Sequence, residues 1–271
     1  LKEMNVDAVY FGPVFESVEH GYDTIDYKLI DRRLGDNAMF KRICSALQAN
    51  GIRVILDGVF NHTGSDSIYF NREGNYDSIG AYNSNKSEYY SWYDFKNYPD
   101  KYTCWWDIDI LPRINPDIPE CGNYFIGKGG VIEKYAKLGV AGFRLDVVDE
   151  LSDRFVEGIK ATLNKHNKNS ILYGEVWEDA SNKIADGKRK RYYLGSELDG
   201  VMNYPLRTGI LRYLREKDTS ALAYYFGEIL PNMPKLLFHN FYNHSATNFF
   251  HHRCIRPRMA QTPTTVPLLH H

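Results

Sequence analysis

The chain has 271 residues, 43% of them hydrophobic and 25% charged, which is enough to bury a full core and ordinary for a globular protein. Its formal charge of −1 argues against nucleic acid or an anionic membrane surface as partner, and no apolar run reaches the roughly 18 residues of a membrane span. Cys44, Cys104, Cys121 and Cys254 show neither CxxC nor Cys/His metal spacing, so neither a zinc site nor a disulfide framework is implied.

The sequence opens at Leu1, inside what reads as a helix end, so the lack of a targeting segment leaves the compartment open. Val6–Gly12 is a continuous apolar run ending in Gly-Pro, the signature of a buried parallel strand. Asn37–Asn50 has helical apolar spacing at Phe40, Ile43, Cys44 and Leu47, with Asp36 or Asn37 as cap and Gly51 as stop. Ile52–Val59 reads as the next strand, Val131–Leu138 as a helix, Val140–Val147 as a strand and Arg154–His166 as a helix. Ser170–Val176 and Leu198–Tyr204 follow as strands, a further helix starts at Thr208, and Leu236–Tyr242 is a weaker strand candidate. This alternation argues for an α/β fold with a parallel sheet. From Thr63 to about Pro119 the rhythm stops, and Gly, Asn, Ser, Tyr and Trp dominate. A loop of that length is functional or a small subdomain, and rings from Tyr82–Trp106 are expected to overhang the catalytic face.

Two carboxylates close two of the strands. Gly142-Phe-Arg-Leu-Asp-Val-Val-Asp-Glu150 carries Asp146, and Tyr173-Gly-Glu-Val-Trp177 carries Glu175. In a parallel barrel both would lie at the C-terminal face, where such barrels do chemistry. Paired carboxylates are what glycoside hydrolysis needs, with a spacing of roughly 5 to 5.5 Å for retention. Arg144, two residues before Asp146, points to the same side of its strand, and its charge is expected to keep Asp146 ionised. Glu175, between Gly174 and Val176, reads as the drier group, with a pKa raised toward that of a general acid. Asp57-Gly-Val-Phe-Asn-His62 places Asp57, Asn61 and His62 at the end of another strand.

With these motifs in place, the chain resembles the catalytic domain of the alpha-amylase superfamily, glycoside hydrolase family 13. Gly21-Tyr-Asp-Thr-Ile-Asp-Tyr27, Asp57–His62, Gly142–Glu150 and Gly174–Trp177 carry the resemblance, in the family's order, across roughly residues 1 to 235. Asp149-Glu150, Leu111-Pro-Arg-Ile-Asn115, Trp177-Glu-Asp and Val201-Met-Asn-Tyr-Pro205 are closest to the neopullulanase, cyclomaltodextrinase and maltogenic-amylase branch. The resemblance implies hydrolysis of alpha-glucosidic bonds by double displacement, with Asp146 as nucleophile, Glu175 as acid/base and Arg144 as the nucleophile's partner. It implies that Tyr22 stacks on the attacked sugar, that His62 binds its hydroxyls, and that Asp57, Trp177 and His244 also line the substrate site. The position of Asn61 binds calcium in true alpha-amylases, although the Asp149-Glu150 pair weakens the case for calcium here. The expected fold is an incomplete TIM (β/α)8 barrel over residues 1–235, with a subdomain at about 63–119 inserted after the third family strand.

The C-terminal stretch departs from the pattern. The family carries a third carboxylate, an Asp after a His, where this chain reads Asn243-His-Ser-Ala-Thr-Asn-Phe-Phe250. No Asp or Glu follows Glu228 and no Gly follows Gly227, and residues 251–271 show no period. Residues 236–271 therefore read as an aberrant or disordered tail, by truncation or frame change near Phe238–Ser245 or by divergence, the abrupt shift in composition favouring the former. The alternative function is a glucan-binding chain without turnover.

Overall fold

The computed structural model describes residues 1–233 apart from Asp186. The expected strand at Leu236–Tyr242, His244 and the tail lie outside the described residues. In chain order the elements are β1 (Ala8–Phe11), β2 (Phe15–Ser17), β3 (Thr24–Ile30), α1 (Asn37–Ala49), β4 (Arg53–Gly58), β5 (Phe95–Asn97), β6 (Lys101–Tyr102), α2 (Pro119–Ile126) and α3 (Val131–Lys137). Then come β7 (Val140–Leu145), α4 (Asp153–His166), β8 (Ile171–Gly174), β9 (Ile184–Ala185), β10 (Lys188–Arg189), β11 (Gly200–Val201), α5 (Tyr204–Glu216) and α6 (Ser220–Tyr224).

Among the described residues, β1, β4, β7, β8 and β11 form one sheet in that order, each neighbour parallel to the next. The crossovers carry α1 between β1 and β4, α2 and α3 between β4 and β7, and α4 between β7 and β8. Parallel strands joined this way are covered by helices, which explains why Arg53–Gly58 and Val140–Leu145 are almost wholly buried apolar runs rather than alternating ones. Gly142 is required by packing, because a Cβ there would sit 1.8 Å from the carbonyl oxygen of Ile171 on β8. The main core gathers Phe15, Tyr27, Phe60, Phe125, Phe143 and Phe155 between the sheet and the helices.

Several boundaries differ from the sequence reading. Gly200–Val201 is all of the strand expected at Leu198–Tyr204, and α5 starts at Tyr204 rather than Thr208. Asn203 explains both: its side chain caps α5 by accepting the Leu206 N–H at 3.1 Å, and Pro205 sits in the first helical turn, where no amide donor is needed. The β2–β3 hairpin has no counterpart in the sequence reading, because β2 is only three residues long and too short to show a period. The insertion is a packed unit with its own ring cluster. Phe70 meets Tyr93 at 4.8 Å and Tyr102 at 4.7 Å, and Tyr90 stacks on Phe95 at 5.2 Å.

Candidate active site

The hydrogen-bond ladder runs past the ends of the strands. Asp146 N–H donates to Gly58 O at 3.1 Å, Glu175 N–H to Leu145 O at 2.9 Å, and Met202 N–H to Gly174 O at 2.8 Å. Asp146 and Glu175 are thereby held at the C-terminal edge, one residue past β7 and β8. Register does the rest: Asp57 lies opposite Arg144, and Arg144 opposite Tyr173, so their side chains share a face.

Arg144 is the hub. Its side chain is 4% exposed, and Nη1 donates to Asp57 Oδ1 and Asp146 Oδ1, each at 2.7 Å. Nη2 pairs with Glu175 Oε2 at 2.9 Å. One guanidinium thus gathers three carboxylates from three adjacent strands, and Asp146 and Glu175 face the same side. Asp57 is completed by Tyr10 Oη, donating at 2.5 Å, and Tyr22 Oη at 3.3 Å. Burial, and then the charge of Asp57, push both phenols well above their usual pKa, so they remain donors.

The proton distribution is the reverse of the sequence expectation. Burial, reinforced by Asp57 and Glu175, raises Asp146 to about 7 against the pull of Arg144. Burial also disfavours ionised Glu175, but the Arg144 charge, Trp177 Nε1–H, Val147 N–H and Tyr204 Oη–H outweigh it and leave its carboxyl below the usual range. The donors lie at 3.0 Å (Trp177), 3.1 Å (Val147) and 3.2 Å (Tyr204). Arg144 was foreseen; that it would be shared with Glu175, and that Glu175 would collect three further donors, was not. Without substrate, the more readily protonated group of the pair is therefore Asp146.

Val147 has φ 39°, a left-handed backbone that a β-branched residue adopts only under constraint. Its N–H donates to Glu175 Oε2, so the strained peptide is a fixed donor to that carboxylate. Tyr10, Tyr204 and Val147 are site residues the sequence reading passed over. For Tyr204 a signal existed in the Val201–Pro205 motif; for Val147 and Tyr10 only the fold reveals it.

His62 is 1% exposed, with Nε2 at 3.1 Å from the Tyr22 carbonyl and Nδ1 at 3.4 Å from the Asn61 amide nitrogen. Those partners define the Nε2–H tautomer, and burial lowers the ring to about 4, so it is neutral. Both of its nitrogens are engaged within the protein, and the ring fixes Tyr22, whose hydroxyl reaches Asp57. The Asn61 side-chain amide nitrogen lies 3.4 Å from His62 Nδ1, its backbone carbonyl accepts Ile114 N–H at 3.0 Å, and among the described residues no three His, Cys, Asp or Glu side chains converge as a metal site.

Most rings of the insertion face its own core rather than the site, which corrects the expectation for Tyr82–Trp106. Trp105 and Trp106 differ. Trp105 lies 5.7 Å from the His62 ring and donates to Glu150 Oε1 at 3.1 Å. Trp106 meets Trp177 edge to face at 5.7 Å.

Parallel strands alternating with helices, and ionisable groups collected at their C-terminal ends, define a TIM-barrel type of α/β domain. The chain belongs to the alpha-amylase family: residues 1–253 match the alpha amylase catalytic domain. It is 35% identical over 242 residues to an amylopullulanase of Thermoanaerobacter thermohydrosulfuricus, an alignment covering 80% of this chain and 16% of that protein. To neopullulanase 2 of Thermoactinomyces vulgaris it is 30% identical over 229 residues, 82% of this chain and 36% of the other. The ligand-free cyclic alpha-maltosyl-(1→6)-maltose hydrolase from Arthrobacter globiformis superposes with a TM-score of 0.73 at 26% identity, covering 84% of this chain and 50% of that one. The chain thus spans well under two thirds of these relatives. Among the described residues, no helix is long and apolar enough to cross a membrane.

Proposed function

We propose that this chain carries the catalytic machinery of a retaining hydrolase of alpha-glucosidic bonds in starch-type glucans, maltooligosaccharides, cyclodextrins or pullulan. Asp146 attacks the anomeric carbon, Glu175 protonates the departing glycosidic oxygen, and water then releases the glycosyl-enzyme with Glu175 as base. Asp57, Tyr22 and His62 shape the pocket for the attacked sugar, and Trp177 borders Glu175. The observation that carries the reading is the single buried Arg144 bonded to both Asp146 and Glu175. The reaction needs the proton on Glu175 and Asp146 ionised beside Arg144, so the distribution of the unliganded pair has to invert once substrate is bound.

The test is turnover of maltotetraose and alpha-maltosyl fluoride, with the first-released anomer read by proton NMR. Retention is expected. Glu175→Gln should lose about 10² to 10⁴ on maltotetraose and much less on the fluoride, whose leaving group needs no proton. Release of the inverted anomer, or equal losses on both substrates, would overturn the assignment. A second reading, glucan binding without turnover, is favoured by Ser245-Ala246 standing after His244 where the resemblance calls for Asp. Calorimetric binding of maltotetraose with no product from either substrate would establish it.

A further inference from the structure

Asp146, Glu175 and Met202 hold equivalent places in the sheet. Each stands one residue past the end of its strand, β7, β8 or β11. Each donates its N–H to the carbonyl of the last residue of the neighbouring strand, Gly58, Leu145 and Gly174 in turn. The repeat that brings two carboxyl groups to Arg144 therefore brings a thioether as the third side chain. Met202 is 9% exposed and packs with Ile55, Ile171 and Tyr173. Its Sδ accepts the Arg144 Nε–H at 3.4 Å. The three carboxyl groups take the terminal nitrogens of the guanidinium, which leaves Nε as a separate point of attachment, and the sulfur is its acceptor.

Packing alone would be served by leucine, which nearly matches methionine in volume. Leucine would leave the Nε–H, buried with the rest of Arg144, without an acceptor, and a buried donor left unpaired is costly. A carboxylate at this point would draw the guanidinium charge away from the other three. A thioether is a weak and uncharged acceptor, so it satisfies the donor and leaves the positive charge to Asp57, Asp146 and Glu175. Because the guanidinium is planar and its donors form a rigid fork, holding Nε sets the plane in which both Nη groups point.

We propose that Met202 is a positioning residue for glycoside cleavage: its sulfur fixes the plane of Arg144, and through it the alignment of Asp146 and Glu175. The effect on turnover rests on the catalytic reading above; the contact itself does not. The other titratable groups that feel Arg144 are phenols: Tyr10 on β1, Tyr22 between β2 and β3, Tyr173 on β8 and Tyr204 on α5. Burial raises all four, so they are uncharged at neutral pH, and a change in titration there belongs to the carboxyl groups.

Met202→Leu keeps the volume and removes the acceptor, whereas Met202→Gln keeps the length and returns an oxygen acceptor. Carbon-13 NMR of the carboxyl groups follows the titration of the Asp146–Glu175 pair without any need for turnover. With Nε released, the Arg144 charge favours the ionised forms less. Both midpoints of the pair should then rise by about 0.5 to 1 unit in the leucine variant and return toward the parent in the glutamine variant. For maltotetraose, kcat should fall about ten- to a hundredfold with leucine while KM stays near that of the parent, and glutamine should recover most of the loss. Unfolding midpoints check that both variants fold. Unmoved carboxyl midpoints in the leucine variant, or a glutamine variant no better than leucine by both measures, overturns the positioning role. Raised midpoints in a protein whose parent turns over neither maltotetraose nor alpha-maltosyl fluoride support the contact and overturn the catalytic reading instead.

Discussion

Replacing Asp146 by Asn should make the protein more stable at neutral and alkaline pH while abolishing turnover. Burial lifts Asp146 from 3.8 to about 7, so the folded state resists its ionisation whereas the unfolded chain does not. The sign follows by linkage: between those two values the native state holds the extra proton, and stability contributed by this group is present below 3.8 and lost as pH rises through 7. A little over three pH units at about 1.4 kcal/mol each gives an upper bound of about 4 kcal/mol. Asparagine mimics the protonated acid in shape and never ionises. Urea unfolding of parent and Asp146→Asn from pH 4 to 9 should therefore give curves that coincide near pH 4 and diverge to about 2 to 4 kcal/mol at pH 8. The variant should be the more stable. A variant less stable than the parent at pH 8, or a difference independent of pH, would refute the claim that this carboxylate is held against its electrostatic preference.

Two further outcomes follow from the same geometry. Tyr204→Phe removes a donor at 3.2 Å from ionised Glu175, so the alkaline limb of the kcat/KM profile, which requires protonated Glu175, should move up by as much as about one unit; an unmoved limb argues against the contact. Gly142→Ala sets a methyl 1.8 Å from the Ile171 carbonyl oxygen and should lower unfolding free energy by about 3 kcal/mol or more, a loss below about 1 kcal/mol being incompatible with the close approach of β7 and β8.

The parallel sheet was legible because buried strands write themselves as short apolar runs, and Val140–Leu145 and Ile171–Gly174 are such runs bounded by glycine and polar residues. The pairing of Arg144 with Asp146 was legible because alternation is local. Less legible were elements too short to show a period, such as the two-residue β11, and the helix α5, whose start depends on a cap. The charge state of the carboxylates was the least legible. Neighbours along the sequence suggested a dry Glu175, whereas of its partners only Trp177 is close in the chain; Arg144 and Val147 come from the end of β7 and Tyr204 from the start of α5. Local reading counts apolar neighbours; pKa depends on who donates across space.

The unequal count around Arg144 has a consequence for guests of this pocket. One guanidinium faces three carboxyl groups, and it is buried with them. Even with Asp146 neutral, the cluster remains one negative charge in excess, in a setting where water does little to screen it. Such a pocket is a potential well for small cations shaped like a sugar. Protonated iminosugars and polyhydroxylated amines supply the missing positive charge directly, and a ring that acquires positive character only fleetingly, as an oxocarbenium does, is stabilised at that instant and not before.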